Sequence, residues 1–198
     1  TRADFDRYYR DVSKYADPRL SSGAGYSSED TARLKATAET ISAFAQSRDA
    51  RILDIGCGAG GLLDSLAVLG FHDLTGMDPA SACAKEVSRR GHCGVVGTFD
   101  EHPLSDASFD GIILSHVLEH VRDLSTALAN VARLLRPGGW LYVEVPDAAR
   151  YGECLIAPFQ DFNLEHINHF SATTLRNLLA SRGWSVRSEE HTSELQSR

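Results

Sequence analysis

Apolar positions along the chain change period at defined points. After Ser28-Glu29-Asp30-Thr31, the residues Leu34, Ala38, Ile41 and Phe44 or Ala45 recur every three to four positions. That is the stripe of an amphipathic helix opened by a capping Ser and acids. From Arg51 onward, short apolar runs alternate with helical stripes. Arg51–Ile55 reads as a strand running into glycines, and Leu62, Leu63, Leu66 and Leu69 as a helical face ended by Gly70. Leu74–Met77 is the next strand, Ala80–Arg90 a helix stopped at Gly91, and Gly94–Val96 a short strand. Phe109–Leu114 is almost wholly apolar, as a strand buried on both faces should be. Leu124, Leu128, Val131 and Leu135 mark a helix that Pro137-Gly138-Gly139 should end, before a fifth strand at Trp140–Val145. Thr174–Arg182 reads as a helix closed by Gly183, and Trp184–Val186 as the start of a sixth strand. Strand–helix alternation of this kind predicts a doubly wound α/β fold, mostly parallel, with helices on both faces.

Composition narrows the class. The 198 residues are 42% hydrophobic and 24% charged, the balance of one ordinary globular domain. A formal charge of −7 argues against a nucleic-acid partner, because phosphate neutralisation supplies most of that affinity. No apolar run is long enough to span a membrane, and Thr1-Arg2-Ala3-Asp4 opens no secretory signal. Cys57, Cys83, Cys93 and Cys154 have no zinc-knuckle spacing, so no metal is expected and the thiols read as those of a reduced, cytoplasmic protein. Residues 1–27, rich in Tyr, Arg, Asp, Gly and Ser, read as a lead-in or lid, and 28–186 as the functional domain. Residues 187–198 carry one Leu and no periodicity, and 187–197 resemble an in-frame translation of a sequencing-adapter oligonucleotide, so this tail is excluded from the fold.

The chemistry centres on Asp54-Ile55-Gly56-Cys57-Gly58-Ala59-Gly60-Gly61, directly after a strand and opening a helix. Glycines there let the backbone turn sharply and let a ligand approach. Gly56-x-Gly58-x-x-Gly61 alone satisfies a dinucleotide fingerprint, which is a weak signal. Asp78, at the end of the second strand, can accept both hydroxyls of an adenosine ribose. Asp54 discriminates between the ligands. A carboxylate there would repel a pyrophosphate but suits the ammonium and sulfonium of S-adenosylmethionine.

Four ordered motifs give the chain its resemblance to class I S-adenosylmethionine-dependent methyltransferases. They are Leu53–Gly60, then Gly76-Met77-Asp78, then Ser108–Ile113 running into His116-Val117-Leu118-Glu119-His120, and last Arg133–Gly139 before a strand. The resemblance implies a Rossmann-like sheet, S-adenosyl-L-methionine as cofactor, and a binding set of Asp54, Gly56, Gly58, Gly60 and Asp78. It adds an adenine-flanking loop that includes Thr98, Phe99 and Asp100, and places Ser115 and His116 under the methionine moiety. Phe99 reads equally as core. Glu119 and His120 read as polar support at the start of a helix. Such sheets usually end in an antiparallel strand pair, which this chain, as given, is expected to lack.

The stretch from Pro146 to Ser171 is too long for a simple connection. It contains Glu165-His166-Ile167-Asn168-His169-Phe170-Ser171. A neutral imidazole at His166 can take a proton from an acceptor as the methyl transfers, so His166 is the catalytic candidate. His169 and Phe170 read as docking residues and Ser171 as a helix cap. The segment is similar to one in C-methyltransferases of nucleotide-linked deoxysugars, although Leu164 stands where a His is expected. Ubiquinone-type O-methyltransferases share the remaining motifs. The expected partner is thus a small-molecule methyl acceptor, by O- or C-methylation. The rival readings are a nicotinamide-dependent oxidoreductase, disfavoured by Asp54 and by the absence of a Tyr-x-x-x-Lys pair, and a non-catalytic S-adenosylmethionine-binding protein. Acceptor identity and oligomeric state stay open at the level of sequence.

Overall fold

The computed structural model describes residues 7–8, 27–153, 159 and 161–187. Most of the lead-in, Cys154 and the tail from 188 onward lie outside the described residues. Helix α1 (Ser28–Phe44) starts at Ser27, whose hydroxyl accepts from the Asp30 amide. Then follow β1 (Arg51–Ile55), α2 (Gly61–Val68), β2 (Asp73–Asp78), α3 (Ser81–Arg89), β3 (Cys93–Val96) and β4 (Phe109–Ser115). A 3-10 turn at Leu118–His120 leads to α4 (Leu124–Leu134), β5 (Leu135–Glu144), a second 3-10 segment at Ala148–Glu153, and α5 (Ala172–Ser181).

The five strands form one sheet in the order β3-β2-β1-β4-β5, and every pairing is parallel. The chain winds outward in one direction through β2 and β3, then returns to the other side of β1 with β4. The reversal leaves a crevice at the carboxyl ends of β1 and β4, where ligands bind in folds of this kind. Period-two alternation sorts the core. Ile52 and Ile113 face a cluster with Leu34, Ala38 and Ile41 of α1, Leu62, Leu63 and Leu66 of α2, and Val87 of α3. Leu53, Ile112 and Leu114 face the opposite cluster, with Val131 and Leu134 of α4 and Leu175 and Leu178 of α5 packed there. Each Leu, Ile or Val among them that is fully buried contributes about 1.5–3 kcal/mol. On the first face α1 also meets β5, where Phe44 stands edge-on to Trp140 at 5.1 Å. The Trp140 indole in turn occupies the space where a Cβ on Gly111 would lie.

Two expectations need correction. Trp184–Val186 is not a strand. Gly183 turns the chain at φ 83°, the Trp184 amide bonds back to the Leu179 carbonyl, and the indole packs on the α5 side of the core. A strand needs a ladder partner, and this segment uses its amide to close the helix instead. Pro137-Gly138-Gly139 also does not simply precede β5. Phe109 pairs with Leu135, the next matched pair is Gly111 with Trp140, and the residues between bulge out of the ladder. No helix among the described residues is long and apolar enough to cross a membrane.

Candidate active site

One side of the crevice is built where β1 and β2 end side by side. Asp54 pairs in register with Gly76, and Ile55 with Met77, so the glycine loop leaves β1 beside Asp78. Gly56, Gly58 and Gly60 all hold positive φ, at 72°, 50° and 86°. At Gly56 a Cβ would also stand 2.7 Å from a methyl of Val117. Backbone conformation and close approach thus both demand glycine there. The Asp78 carboxylate accepts from the Gly58 amide at 3.1 Å and the Ala80 amide at 2.8 Å, one bond on each oxygen. Each oxygen keeps a lone pair for a further donor such as a ribose hydroxyl.

Both acids are buried, Asp54 at 3% and Asp78 at 8% exposure. Burial pushes Asp54 up to about 8, reinforced by the neighbouring charge of Asp78 and opposed by Arg33. Burial likewise raises Asp78 to about 6, opposed by its two backbone donors. The pocket is therefore short of positive charge. A cationic ligand would supply it, and a pyrophosphate would worsen the deficit. These residues fit S-adenosylmethionine. Arg33 of α1 is half-buried; its Nη2 donates to Asp30, and its Nη1 has no hydrogen-bond partner among the described residues. A guanidinium nitrogen held this way can receive a ligand carboxylate.

The loop after β3 is folded on itself. The Thr98 hydroxyl accepts from the amides of Asp100 and Glu101, so it is committed to the turn. Phe99 is half-buried against the α4–α5 side of the core, and Asn130 donates to its carbonyl. Asp100 is exposed.

Between the halves stands a network that the sequence reading resolved only in part. The Glu144 carboxylate, at the end of β5, accepts from Ser115 at 2.9 Å and from Thr37 of α1 at 3.2 Å. His116 has φ 55°, left-handed backbone that a His adopts at a cost. Its amide bonds to the Glu144 carbonyl, and its ring lies between Glu119 (3.4 Å) and Glu144 (3.8 Å). Burial opposes protonation of His116, but the two carboxylates outweigh it and push the pKa up to about 10. Glu144 moves the opposite way: burial is overcome by His116 and Ser115, to about 2. Glu144 and Thr37 were missed. The legible signal for Glu144 is an acid at the carboxyl end of the otherwise apolar Trp140–Val145 run.

The other side of the crevice joins two distant segments. The amides of Ile167 and Asn168 both donate to the Glu119 carbonyl, at 2.9 and 3.0 Å. The Asn168 side-chain amide donates to the carbonyls of Leu118 (3.0 Å) and Val121 (2.6 Å). This staple sets the His166 ring edge-on to His120 with centroids 4.9 Å apart. A ligand-capable atom of each of Glu119, His120 and His166 lies within 4.8 Å of the others. The Tyr8 hydroxyl reaches Glu165 at 2.7 Å, so at least this residue of the lead-in touches the acceptor segment. His169 stacks on Phe162 and meets the Tyr151 hydroxyl at 3.1 Å, Phe170 is buried, and Ser171 caps α5. His166 therefore stands with Glu119 and His120. Glu119 and His120 belong to the 3-10 turn Leu118–His120, and both come close to His166.

Comparison with known proteins agrees with this fold. A ubiquinone biosynthesis O-methyltransferase of Paracidovorax citrulli is 35% identical over 112 residues, 52% of this chain and 46% of the relative. The O-methyltransferase cnsE of Penicillium expansum is 32% identical over 154 residues, 68% of this chain and 52% of the relative. The chain thus spans about half the length of the curated relatives it matches. A methyltransferase of Haloferax volcanii, solved in complex with the Trm112 methyltransferase activator, superposes with a TM-score of 0.69 at 21% identity, covering 85% of this chain and 78% of that one. At that identity the likeness speaks for the fold alone. The methyltransferase-domain family matches residues 27–189, which include the glycine loop, both buried acids and the acceptor segment, and the chain belongs to that family of S-adenosylmethionine-dependent enzymes.

Proposed function

We propose that this chain moves the sulfonium methyl of S-adenosylmethionine to a hydroxyl oxygen of a small, largely apolar molecule. The observation that carries the donor side is the pair of buried, charge-deficient acids, Asp54 and Asp78, flanking the glycine loop. Asp78 would hold the ribose, Asp54 and Ser115 the cationic methionine end, and Arg33 its carboxylate. S-adenosylmethionine supplies an electrophilic methyl carbon. The chain supplies alignment, which accounts for most of the rate in such displacements.

O-methylation is supported by the O-methyltransferases among the relatives. An apolar acceptor is supported by the surface beside His166: Phe159, Phe162, Leu164 and Ile167 are exposed at 61, 70, 100 and 45%. Exposed apolar groups clustered beside a reactive centre mark a binding surface. His166 belongs to the acceptor half and promotes loss of the acceptor's proton.

Calorimetry with S-adenosylmethionine and with NAD tests the donor assignment: binding of NAD without S-adenosylmethionine overturns it. Mass spectrometry of small-molecule extracts, scored for a methyl shift that needs both this protein and S-adenosylmethionine, tests turnover. Absence of any shift across apolar hydroxyl compounds would favour a non-catalytic binder.

A further inference from the structure

We propose that Glu119, His120 and His166 form a divalent-cation site on the acceptor side, of the class that takes two imidazoles and one carboxylate and leaves positions open for an acceptor oxygen.

Two features of the imidazoles point to a cation. His120 Nδ1 lies 2.9 Å from the Glu165 carbonyl, and His166 Nδ1 lies 2.8 Å from the Asp161 carbonyl. A carbonyl only accepts, so both Nδ1 atoms carry the proton, and in the neutral ring the lone pair is on Nε2. A metal-binding His is oriented in this manner, with its other ring nitrogen donating to a backbone carbonyl or carboxylate. Two neighbouring rings share the tautomer, from segments 46 residues apart in sequence.

The carboxylate is the independent observation. Glu119 is 1% exposed, and neither of its side-chain oxygens has a hydrogen-bond partner among the described residues. The near cation among the described residues is His116, which stands 3.4 Å from Oε1 and is shared with Glu144. One imidazolium shared between two carboxylates leaves buried Glu119 short of compensating charge, and a further cation relieves that cost. Bonds of about 2.0–2.2 Å place ligand atoms roughly 3–4.3 Å apart. Atoms already within 4.8 Å close on an ion by small side-chain movements. The staple through Asn168 and the Glu119 carbonyl holds both segments in place, so the site needs no refolding to form.

Two imidazoles and a carboxylate suit zinc, manganese, iron(II) or cobalt better than calcium or magnesium. The proposed use rests on the methyl-transfer reading above. An acceptor hydroxyl bound to the cation becomes acidic enough to lose its proton to water near neutral pH. Its oxygen then forms the bond to the methyl carbon, and the electron pair of the broken carbon–sulfur bond stays on sulfur. No oxidant or reductant is needed. The lone pair that His166 could offer as a base is instead the one it gives to the cation.

The test reads metal binding without turnover. Protein stripped with chelator is titrated with zinc by calorimetry and with cobalt(II) by visible absorption. The expected result is one ion per chain and a cobalt d–d spectrum. Glu119→Gln and His166→Ala should each weaken zinc binding at least tenfold and alter that spectrum, with circular dichroism unchanged. His120→Ala provides a third variant should one of these fail to fold. No stoichiometric binding by the wild-type chain overturns the site, as does binding that all folded variants retain. S-adenosylmethionine affinity of the stripped protein is measured separately. If it is intact while metal binding is absent, the cation site fails and the donor assignment stands.

Discussion

The two halves of the crevice, proposed above as the donor and acceptor sides, are built by opposite means. The donor half lies at the ends of two neighbouring parallel strands, and its key residues fall between Asp54 and Asp78. Strand pairing places Asp54 beside Gly76, and two backbone amides hold Asp78. The acceptor half joins a 3-10 turn after β4 to a segment more than 40 residues later, through hydrogen bonds from Ile167 and Asn168. One half is made by regular structure and short-range motif. The other depends on a few contacts between irregular segments. The scaffold can therefore keep its donor while the acceptor surface changes.

That contrast can be broken from either side. The largest expected effect is on the acceptor half: His166→Ala should lower turnover by roughly 10²-fold and leave S-adenosylmethionine affinity within about twofold. A large loss of cofactor affinity would put His166 in the wrong half. The mirror experiment is Asp78→Ala, which should cost about 1–3 kcal/mol of S-adenosylmethionine binding, the range for hydrogen bonds to a charged group. Calorimetry reads this directly, and unchanged affinity would remove Asp78 from the ribose site. Asn168→Ala should loosen the staple without touching the donor. It should cost about 1–2 kcal/mol locally, since the carbonyls of Leu118 and Val121 lose a donor. Hydrogen exchange should speed up at 165–168 and not at 54–78, and equal acceleration in both would erase the distinction.

The smallest effect concerns pH. An unfolded Asp releases its proton near pH ~4. In the folded chain Asp78 holds it to about 6 and Asp54 to about 8, because both are buried. Between those values the folded state binds more protons than the unfolded one, so stability of the ligand-free protein falls as pH rises from about 4 to 8. A cationic ligand favours the ionised acids and offsets that loss. The melting-temperature gain from S-adenosylmethionine should accordingly be greater at pH 8 than at pH 5.5, by at least about 3 °C for ~1 kcal/mol in a chain of this size. A gain that is flat in pH would mean that these acids do not face the ligand's charge.

The glycine loop, the helix caps and the alternation of strands were legible because each rests on local chemistry. Ser171 capping α5 and the buried apolar run at Phe109–Leu114 are read from adjacent residues. Trp184–Val186 shows where such reading fails: its apolar residues suit a strand, yet no ladder among the described residues claims it and the indole packs inward. Thr37 was invisible for a related reason. It lies on an amphipathic helix among many polar residues, and only the packing of α1 over β5 brings it to Glu144.

Sequence by itself determined the parallel α/β order, the loop after β1 and the acids that flank it, because periodicity, glycine backbone freedom and strand register act over a few residues. Tertiary structure alone decided the surroundings of Glu119. Its carboxylate is polar and helix-compatible in the sequence, and becomes a buried group facing His120 and His166 only once the Glu165–Asn168 segment closes over it. Burial and the meeting of distant segments are properties of the packed chain, and they set the electrostatics from which this site's chemistry follows.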